Sequence, residues 1–500
     1  MVLNLNRLSL PLSRQFLIVV VSSFLILLSL PPFGISLFYW VGIILFFYFL
    51  IGDQAFHRKH IFIFFYLIQF ISLIWIIQSF SSGGWGYLIL GVILISFLAG
   101  FIAFLNYGSV QLINFFFREK SLWPFLLPLS LSITDLLKEF IIGGFPWNPS
   151  AIIYFNNLFV LKILPFVGVY GLGLVIHLVL GLILFSLVNR KRLMTYIIST
   201  FIILSFLTGF IQHQSNIPEG SGSLNFLVIQ PNIYESLVNQ NVIENLEKYE
   251  ELTLEALQKQ PETDIIIWPE GALPIDLNNR PGLLDRLGSI LGNNQKLILG
   301  SSAIEDNGLL YNRLYVLNEL GVIEQFYDKQ KLVLFGEYVP WVKPFISRFL
   351  NLGMNYVPGK LQSLINLPNQ VKATPMICFE SIFEYQSINE NICVSDLVIQ
   401  ISNDSWFGKW YGPQQHLANS LIRSVEFQKT LIRSTPSGVS AVIQPNGLIS
   451  HRIDNNQRDY FYYSYRPSNQ ITNCFSTIYY VIGLLFLILF LSWIYVRVKR

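Results

Sequence analysis

The sequence contains the stretch DIIIWPEG at residues 264–271. Its three consecutive isoleucines lack polar alternation, which predicts a short strand that is buried on both faces. Glu270 follows this strand directly, so its carboxylate is expected at a strand end and partly desolvated, which suits a general base. Many strands end in glutamate, however, so this residue alone does not define a site.

Alternating strand and helix patterns continue on both sides of this stretch. Turn signals predict hairpins around 318–321 and 445–447, and apolar periodicity predicts helices over 241–260 and 414–433. Further strands are predicted at 225–230, 296–300, 314–317, 322–327, 375–378 and 397–402. This pattern is typical of a layered α/β domain, to which we assign residues 213–472.

Two more polar residues follow predicted strands, where the sites of open α/β sheets gather. Lys329 could stay charged beside a base and stabilise an oxyanion, although a lone lysine is usually solvated and Lys331 competes with it. Cys378 could be a nucleophile, although an isolated cysteine is more often a small buried hydrophobic residue. Together, Glu270, Lys329 and Cys378 can form one acyl-transfer site.

The rest of the chain is apolar enough to lie in a bilayer. Of its 500 residues, 53% are hydrophobic and 13% are charged, whereas about 25% are charged in soluble domains. The net charge of +3 is too small to indicate nucleic-acid binding. We predict a membrane domain over 1–212 and a last span with a basic tail over 473–500. The apolar runs, about eight spans, are 15–30, 35–52, 61–79, 86–106, 121–140, 158–187, 194–211 and 475–496.

Charges in the connections predict how these spans are oriented. Lys and Arg cluster after the second, fourth and sixth spans and at both termini, whereas the alternate connections carry neither. By the positive-inside rule the basic side is cytoplasmic, which places both termini inside and residues 213–472 outside. We interpret the first run as an uncleaved span, because no small-residue cleavage site follows it. Asp135 and Lys138, in the fifth span, either form a structural pair or serve function.

The chain contains three cysteines, Cys378, Cys393 and Cys474. An odd and sparse set does not make a disulfide framework, so at least one thiol must be free or partnered elsewhere. We expect Cys393 and Cys474 to be ordinary buried thiols.

Several short motifs accompany the three candidate residues. They are WPE at 268–270, LVLFGEYVP at 332–340, ICFE at 377–380, ISNDSWFG at 401–408, His416, Arg423, Glu426 and Arg433, with PFG at 32–34 and FPW at 145–147. These motifs resemble those of the nitrilase superfamily and, together with the membrane spans, those of the apolipoprotein N-acyltransferase family. The resemblance covers nearly the whole chain, and the motif set is far more specific than a nitrilase triad alone. The spacing from Lys329 to Glu337 matches the family, which selects Lys329 over Lys331.

The resemblance implies an αββα sandwich for the extracytoplasmic domain and a role for each matching residue. Glu270 resembles the general base, Lys329 the oxyanion stabiliser and Cys378 the nucleophile. Glu337 resembles a second carboxylate that orients the lysine or assists proton transfer. The residues that resemble those shaping the site around the thiol are Phe379 and Glu380. No metal and no soluble cofactor is implied.

The resemblance also implies the reaction. Members of the family take a fatty acyl chain from a membrane phospholipid onto the cysteine as a thioester. They then pass it to the α-amino group of the diacylglyceryl-cysteine that begins an apolipoprotein, which is the last step of lipoprotein maturation. We therefore expect a monomeric, multi-pass enzyme of the bacterial inner membrane, with its catalytic domain on the periplasmic face and both termini in the cytoplasm.

Aromatic and basic residues mix over 339–356, where we predict a mobile arm that dips into the membrane interface and guards the acyl entrance. An ordinary buried helix and loop is the alternative. The candidate substrate-binding residues are Trp341 and Phe345 in this arm and Trp147 in the membrane domain. Several positions depart from the family pattern. They spare the triad but leave room for an altered substrate preference. These positions are Leu334, Phe379, Asn239, residues 436–438, Asp135 and Lys138.

Two other functions are compatible with parts of the sequence. A membrane-anchored amidase or nitrilase-like hydrolase would send the thioester to water, but a simple anchor needs one span rather than about eight. A transporter or receptor with an inert outer domain would not need an intact triad, and its spans would carry a row of inward charges.

Overall fold

The computed structural model of the protein describes residues 11–52, 58–117, 120–190, 224–233, 241–334, 336–338, 355–360, 364–384, 390–467 and 477–498. The chain divides into two compact units. One comprises Met1–Ser215 with Phe475–Arg500 and is helical, and the other comprises Asn216–Cys474 and contains two β-sheets.

Both units contain α-helices. In chain order, the described α-helices are α1 (Leu12–Ser29), α2 (Ser36–Gly52), α3 (Arg58–Leu73), α4 (Trp85–Phe116), α5 (Trp123–Leu126), α6 (Leu129–Phe140), α7 (Leu158–Leu161), α8 (Leu164–Val188), α9 (Val242–Lys259), α10 (Pro281–Ser289), α11 (Gly412–Phe427) and α12 (Ile478–Val498). Short 3₁₀ segments include Ile74–Gly83, which continues α3, and Ser150–Tyr154 before α7.

Several helices of the first unit are long and apolar enough to cross a bilayer. Within the described residues these are Leu12–Ser29, Arg58–Ser81, Trp85–Phe116, Leu164–Val188 and Ile478–Val498, and Ser36–Gly52 is a shorter apolar helix. Their lengths and composition support the prediction of a membrane domain.

Two predicted spans are divided rather than continuous. The run 121–140 forms α5 and α6, because Pro128 lies at the N-terminal end of α6 and cannot continue the preceding turn. The run 158–187 forms α7 and α8, and α8 is interrupted at Gly168, whose φ of 68° is not helical. The predicted span 194–211 lies outside the described residues.

A buried ion pair lies within α6 and contacts the loop that follows this helix. The Lys138 ammonium lies 2.9 Å from the Asp135 carboxylate, and both residues are buried. Lys138 Nζ also donates to the main-chain carbonyl of Trp147 at 3.4 Å. This pairing agrees with the structural alternative for these two residues, because each charge offsets the burial cost of the other.

Two β-sheets form the second unit. Its strands are β1 (Leu224–Gln230), β2 (Ile265–Ile267), β3 (Leu273–Asp276), β4 (Lys296–Ile304), β5 (Leu310–Asn318), β6 (Ile323–Asp328), β7 (Ile365–Asn366), β8 (Lys372–Ile377), β9 (Leu397–Ile401), β10 (Thr430–Ser434), β11 (Ser440–Ile443), β12 (Ile449–Ile453) and β13 (Asp459–Tyr465). The first sheet has the order β13-β1-β2-β4-β5-β6, with β3 beside β4, and the second has the order β12-β11-β10-β9-β8-β7.

The sheets pack as the inner layers of an αββα sandwich, which confirms the predicted fold class. Alternate residues of β1, Leu227 and Ile229, pack with Leu246 and Tyr249 of α9 in one core cluster. On the other side, the Ser434 hydroxyl at the end of β10 donates to the carbonyl of Ile229 in the first sheet, at 3.3 Å. Buried on both sides, these strands carry apolar runs without alternation.

One predicted helix was too long. The run 414–433 is helical only to Phe427, after which Gln428 adopts a left-handed conformation with a φ of 54°. The chain then enters β10, which pairs with β9 in parallel. A left-handed residue ends a helix, and the following TLIRS stretch is completely buried as a strand, so tertiary pairing overrode the helical pattern.

Candidate active site

The three predicted catalytic residues lie at the ends of strands and meet at one place. Glu270 follows β2, Lys329 follows β6 and Cys378 follows β8. Lys329 Nζ lies 3.1 Å from Glu270 Oε1 and 2.8 Å from Glu337 Oε1. Cys378 lies close enough to Glu270 and Lys329 for both charges to act on its thiol. The first sheet thus supplies the base and the cation, and the second supplies the thiol.

Each oxygen of the Glu270 carboxylate has a fixed partner. Oε1 accepts from Asn312 Nδ2 at 2.7 Å and from Lys329, whereas Oε2 accepts from the main-chain amide of Asn403 at 2.7 Å. Asn312 Nδ2 also donates to Glu337 Oε1 at 2.8 Å, so it joins the two carboxylates. These three donors fix the orientation of the carboxylate, as a proton acceptor requires.

The Lys329 ammonium is buried between two carboxylates. Burial alone lowers the pKa of Lys329, but the charges of Glu270 and then Glu337 raise it well above the usual lysine value. The lysine is therefore a permanent cation that can stabilise an oxyanion. Lys331, by contrast, places its Nζ over the Phe383 ring, 5.1 Å from the centroid, so the geometry favours Lys329 as the cation of the site.

Cys378 is the first residue of a tight 3₁₀ turn, Cys378–Ile382, which follows β8 directly. Its φ of 53° is in the left-handed region, which costs a residue with a Cβ roughly 1–2 kcal/mol. The thiol is free and buried. Burial, followed by the charge of Glu270, raises the pKa of Cys378. The thiol is therefore protonated at neutral pH and needs a base before it can attack.

Glu380 links the loop that carries Lys329 to the turn that carries Cys378. Its carboxylate accepts from the main-chain amides of Gln330 and Ile377, each at 2.7 Å, and from the Tyr327 hydroxyl at 3.0 Å. Burial raises the pKa of Glu380 to about 7, although these main-chain donors oppose the effect. Its neighbour Phe379 is also buried. Both residues that were predicted to shape the site around the thiol therefore lie at the turn.

The pKa of Glu380 predicts a pH dependence of stability. Because this pKa rises from 4.5 to about 7 on folding, the native state binds the proton more tightly, so stability decreases as the pH rises from about 5 to above 7. A rise of this size corresponds to about 3 kcal/mol. We expect the thermal midpoint of the wild type to decrease more than that of Glu380→Gln over this range, measured in detergent. Parallel decreases would contradict the assignment.

Gly300 allows β4 to pass closely behind Glu270. A Cβ at position 300 would lie 2.5 Å from Glu270 Cα and 2.8 Å from the Gly271 amide nitrogen. Because both atoms belong to the main chain, they cannot move without shifting the base. We expect Gly300→Ala to cost about 1–3 kcal/mol of stability and to slow the acylation of Cys378.

The matched control for Gly300→Ala is Gly282→Ala in α10, where no atom lies within 4 Å of the added Cβ. Thermal unfolding and the rate of acyl-enzyme formation should be compared for the two variants. Equal values for both would show that the close approach at Gly300 does not constrain Glu270.

Of the three predicted substrate-binding residues, Trp147 alone lies within the part of the chain that the structure describes. Trp147 lies in the helical unit, where its ring packs against Trp75 at 5.1 Å between centroids. Trp341, Phe345 and most of the predicted arm lie outside the described residues, as does Asn239. At the end of the arm, the Tyr356 hydroxyl lies 2.9 Å from Ser302 Oγ.

The prediction for Cys393 was wrong, because this residue is disulfide-bonded. The chain has too few cysteines for a framework, but a single bridge needs only two, which the count of three permits. Cys474 lies outside the described residues.

Sequence reasoning missed Asn312 and also Gln400, whose amide donates to the main-chain carbonyl of Cys378. Asn312 is a buried polar residue of β5, and Gln400 stands in the buried β9 stretch LVIQI. A polar group inside a buried strand must find hydrogen-bond partners, and that is the signal that could have identified both. Among the described residues, no cluster of His, Cys, Asp and Glu could hold a metal ion.

Comparisons with known proteins agree with the family resemblance in both units. The family model described as apolipoprotein N-acyltransferase N-terminal domain matches residues 22–182, and that described as carbon-nitrogen hydrolase matches 228–468.

Two similar relatives, both named apolipoprotein N-acyltransferase, illustrate the extent of the match. That from Rhizobium rhizogenes is 26% identical over 493 residues, which covers 89% of each chain. That from Allorhizobium ampelinum is 29% identical over 336 residues, which covers 65% of this chain and 63% of the relative. A solved carbon-nitrogen hydrolase from Helicobacter pylori is 15% identical with a TM-score of 0.37, covering 49% of this chain and 89% of that one.

Proposed function

Because this chain belongs to the apolipoprotein N-acyltransferase family of the nitrilase superfamily, we propose that it N-acylates apolipoproteins. The acyl donor is a membrane phospholipid, and the acceptor is the α-amino group of an N-terminal diacylglyceryl-cysteine. The observation that carries this proposal is the buried Lys329, held 3.1 Å from Glu270 and 2.8 Å from Glu337 beside a free buried thiol.

The first half-reaction forms a thioester. Glu270 takes the proton from the Cys378 thiol, and the sulfur attacks the ester carbonyl of the phospholipid. The Lys329 ammonium stabilises the oxyanion of the tetrahedral intermediate. When the intermediate collapses, the carbon–oxygen bond breaks and Glu270 returns its proton to the leaving oxygen, which releases a lysophospholipid.

The second half-reaction transfers the acyl chain to nitrogen. The neutral α-amine of the apolipoprotein attacks the thioester carbonyl, and Lys329 again stabilises the oxyanion. Glu270 takes a proton from the attacking nitrogen and returns it to the sulfur as the carbon–sulfur bond breaks. The products are an amide and the free Cys378 thiol, so the cycle needs no metal and no soluble cofactor.

We propose the bacterial inner membrane as the location, with residues 213–472 on the periplasmic face and both termini in the cytoplasm. The basic connections on one side of the predicted spans support this orientation. The disulfide at Cys393 is a second support, because disulfides persist in oxidising compartments such as the periplasm. We further propose that the enzyme acts as a monomer, with Trp147, Trp341 and Phe345 contacting its lipid substrates.

The proposal is tested by incubating the purified protein with a fluorescent phospholipid and a diacylglyceryl-cysteine peptide. Mass spectrometry should find the peptide heavier by one acyl chain and an acyl group on Cys378. We expect Cys378→Ala to abolish both products and to fold normally, because the substitution removes only one buried sulfur. Release of free fatty acid without acylated peptide would instead identify a hydrolase. Full transfer by Cys378→Ser would contradict the assignment of the nucleophile.

A further inference from the structure

A closed ring of buried polar contacts lies directly behind the reactive turn. It begins and ends at the main-chain carbonyl of Cys378, which accepts from Gln400 Nε2 at 3.1 Å and faces His416 Nε2, also at 3.1 Å. The members of the ring, in order, are Cys378, Gln400, Ser420, Arg433, Asp404 and His416.

The remaining links are short and directional. The Ser420 hydroxyl donates to Gln400 Oε1 at 2.7 Å and accepts from Arg433 Nη1 at 3.1 Å. Arg433 Nη2 donates to Asp404 Oδ2 at 2.6 Å, and Asp404 Oδ1 lies 2.9 Å from His416 Nδ1. No member is more than 2% exposed. A fully buried ion pair contributes little net stability, so its placement here calls for a geometric reason.

None of these side chains takes part in the proposed proton or acyl transfers. The ring touches the carbonyl of Cys378, and this contact fixes the direction of the main chain that carries the thiol. On the other side of the turn, Glu380 holds the amide of Ile377. Because a left-handed conformation is unfavourable for a residue with a Cβ, such a turn persists only when its surroundings hold it.

We propose that His416 and Gln400 are positioning residues, which aim the Cys378 thiol at Glu270 and Lys329 by holding the Cys378 carbonyl. The Asp404–Arg433 pair orients the imidazole, and Ser420 orients the amide of Gln400. The inference rests on the proposed function, because it assigns these residues a part in the thioester chemistry of the same site.

The ring makes a specific demand on the side chain at position 416. The group that reaches the Cys378 carbonyl must be a donor at the place of Nε2. The amide nitrogen of a glutamine can occupy the place of Nε2, whereas that of the shorter asparagine lies near the place of Nδ1. We therefore expect His416→Gln to preserve the positioning and His416→Asn and His416→Ala to lose it.

Two rates in the full-length enzyme test this expectation. One is the rate constant for alkylation of Cys378 by iodoacetamide, and the other is the rate of thioester formation from phospholipid, each normalised to the amount of reactive thiol. Since a misplacement of about 1 Å can cost about 100-fold in rate, we expect both rates to decrease at least ~10-fold in His416→Ala and to stay within about threefold in His416→Gln. His451→Gln, on the half-buried β12 histidine, is the matched control and should leave both unchanged.

Ser420→Ala is a second variant for the case that His416→Ala does not fold, because it removes only one hydroxyl of the ring. It should also slow both rates. Unchanged rates per thiol in these variants, with only a lower thermal midpoint, would overturn the proposal and leave the ring a purely structural role. Alkylation needs neither lipid nor apolipoprotein, so failure of the proposed function would appear separately, as a wild-type thiol that is alkylated but never acylated.

Discussion

Glu270→Gln is expected to lower the rate of Cys378 acylation by about a hundred- to ten-thousand-fold, the range typical of losing a general base. Burial keeps the thiol protonated, so the reaction cannot proceed from a pre-existing thiolate. A glutamine has nearly the same shape, but its amide does not accept the thiol proton. The single oxygen of the glutamine amide also cannot replace both carboxylate oxygens. In the wild type, Lys329 and Asn312 donate to Oε1 of Glu270 and the Asn403 amide donates to Oε2.

The measurement is the single-turnover rate of acyl-enzyme formation with a fluorescent phospholipid. Glu250→Gln provides the matched control, because Glu250 belongs to the same unit but binds Arg286 near the surface. We expect Glu250→Gln to keep the wild-type rate. If Glu270→Gln retained more than about a tenth of the wild-type rate, far above what loss of a general base allows, another group would have to take the proton.

Lys329→Met is expected to damage both stability and activity. It removes the cation that is bonded to both Glu270 and Glu337, whose side chains are about nine-tenths buried. Removing one partner of a buried ion pair costs about 3–5 kcal/mol, because the remaining charge is left without compensation. One of the two carboxylates is then expected to take up a proton, which impairs the base, and the oxyanion loses its donor.

Lys331→Met tests the same substitution two positions along the chain. Lys331 is only partly buried, and no carboxylate forms an ion pair with it in the described part of the chain. We expect it to keep thioester formation near the wild-type rate and to lower the unfolding midpoint little. Similar losses in both variants, measured by thermal unfolding and single-turnover acylation, would refute the distinction between the two lysines.

The sequence predicted the elements whose pattern is local. The strand before Glu270 and the helix over 241–260 agree with β2 and α9 to within a few residues, because burial on both faces and a 3.6-residue period leave a direct trace in the residue types. The end of α11 was missed, because the Thr430 strand is stabilised by pairing with β9 rather than by its own sequence.

The residues of the candidate site also divide into those that a local sequence pattern identifies and those that only the tertiary structure brings into place. Glu270, Lys329 and Cys378 were identified because each follows a strand and because the surrounding motifs resemble a family. Asn312 could not be identified as a bridge, since its reach to Glu270 depends on the register of β4 against β5. The contact of His416 with the Cys378 carbonyl likewise requires α11 to pack over the turn, and no local pattern contains that information.

The division of the site between two sheets has a consequence for biosynthesis. A chain emerging from the ribosome carries Glu270 and Lys329 well before Cys378 is made, and neither sheet alone holds all three. Until the sandwich has closed, the cysteine has neither its proton acceptor nor its cation, so it is chemically an ordinary thiol. The proposed capacity to capture acyl chains therefore appears only with completed assembly, which protects the unfinished protein from premature acylation.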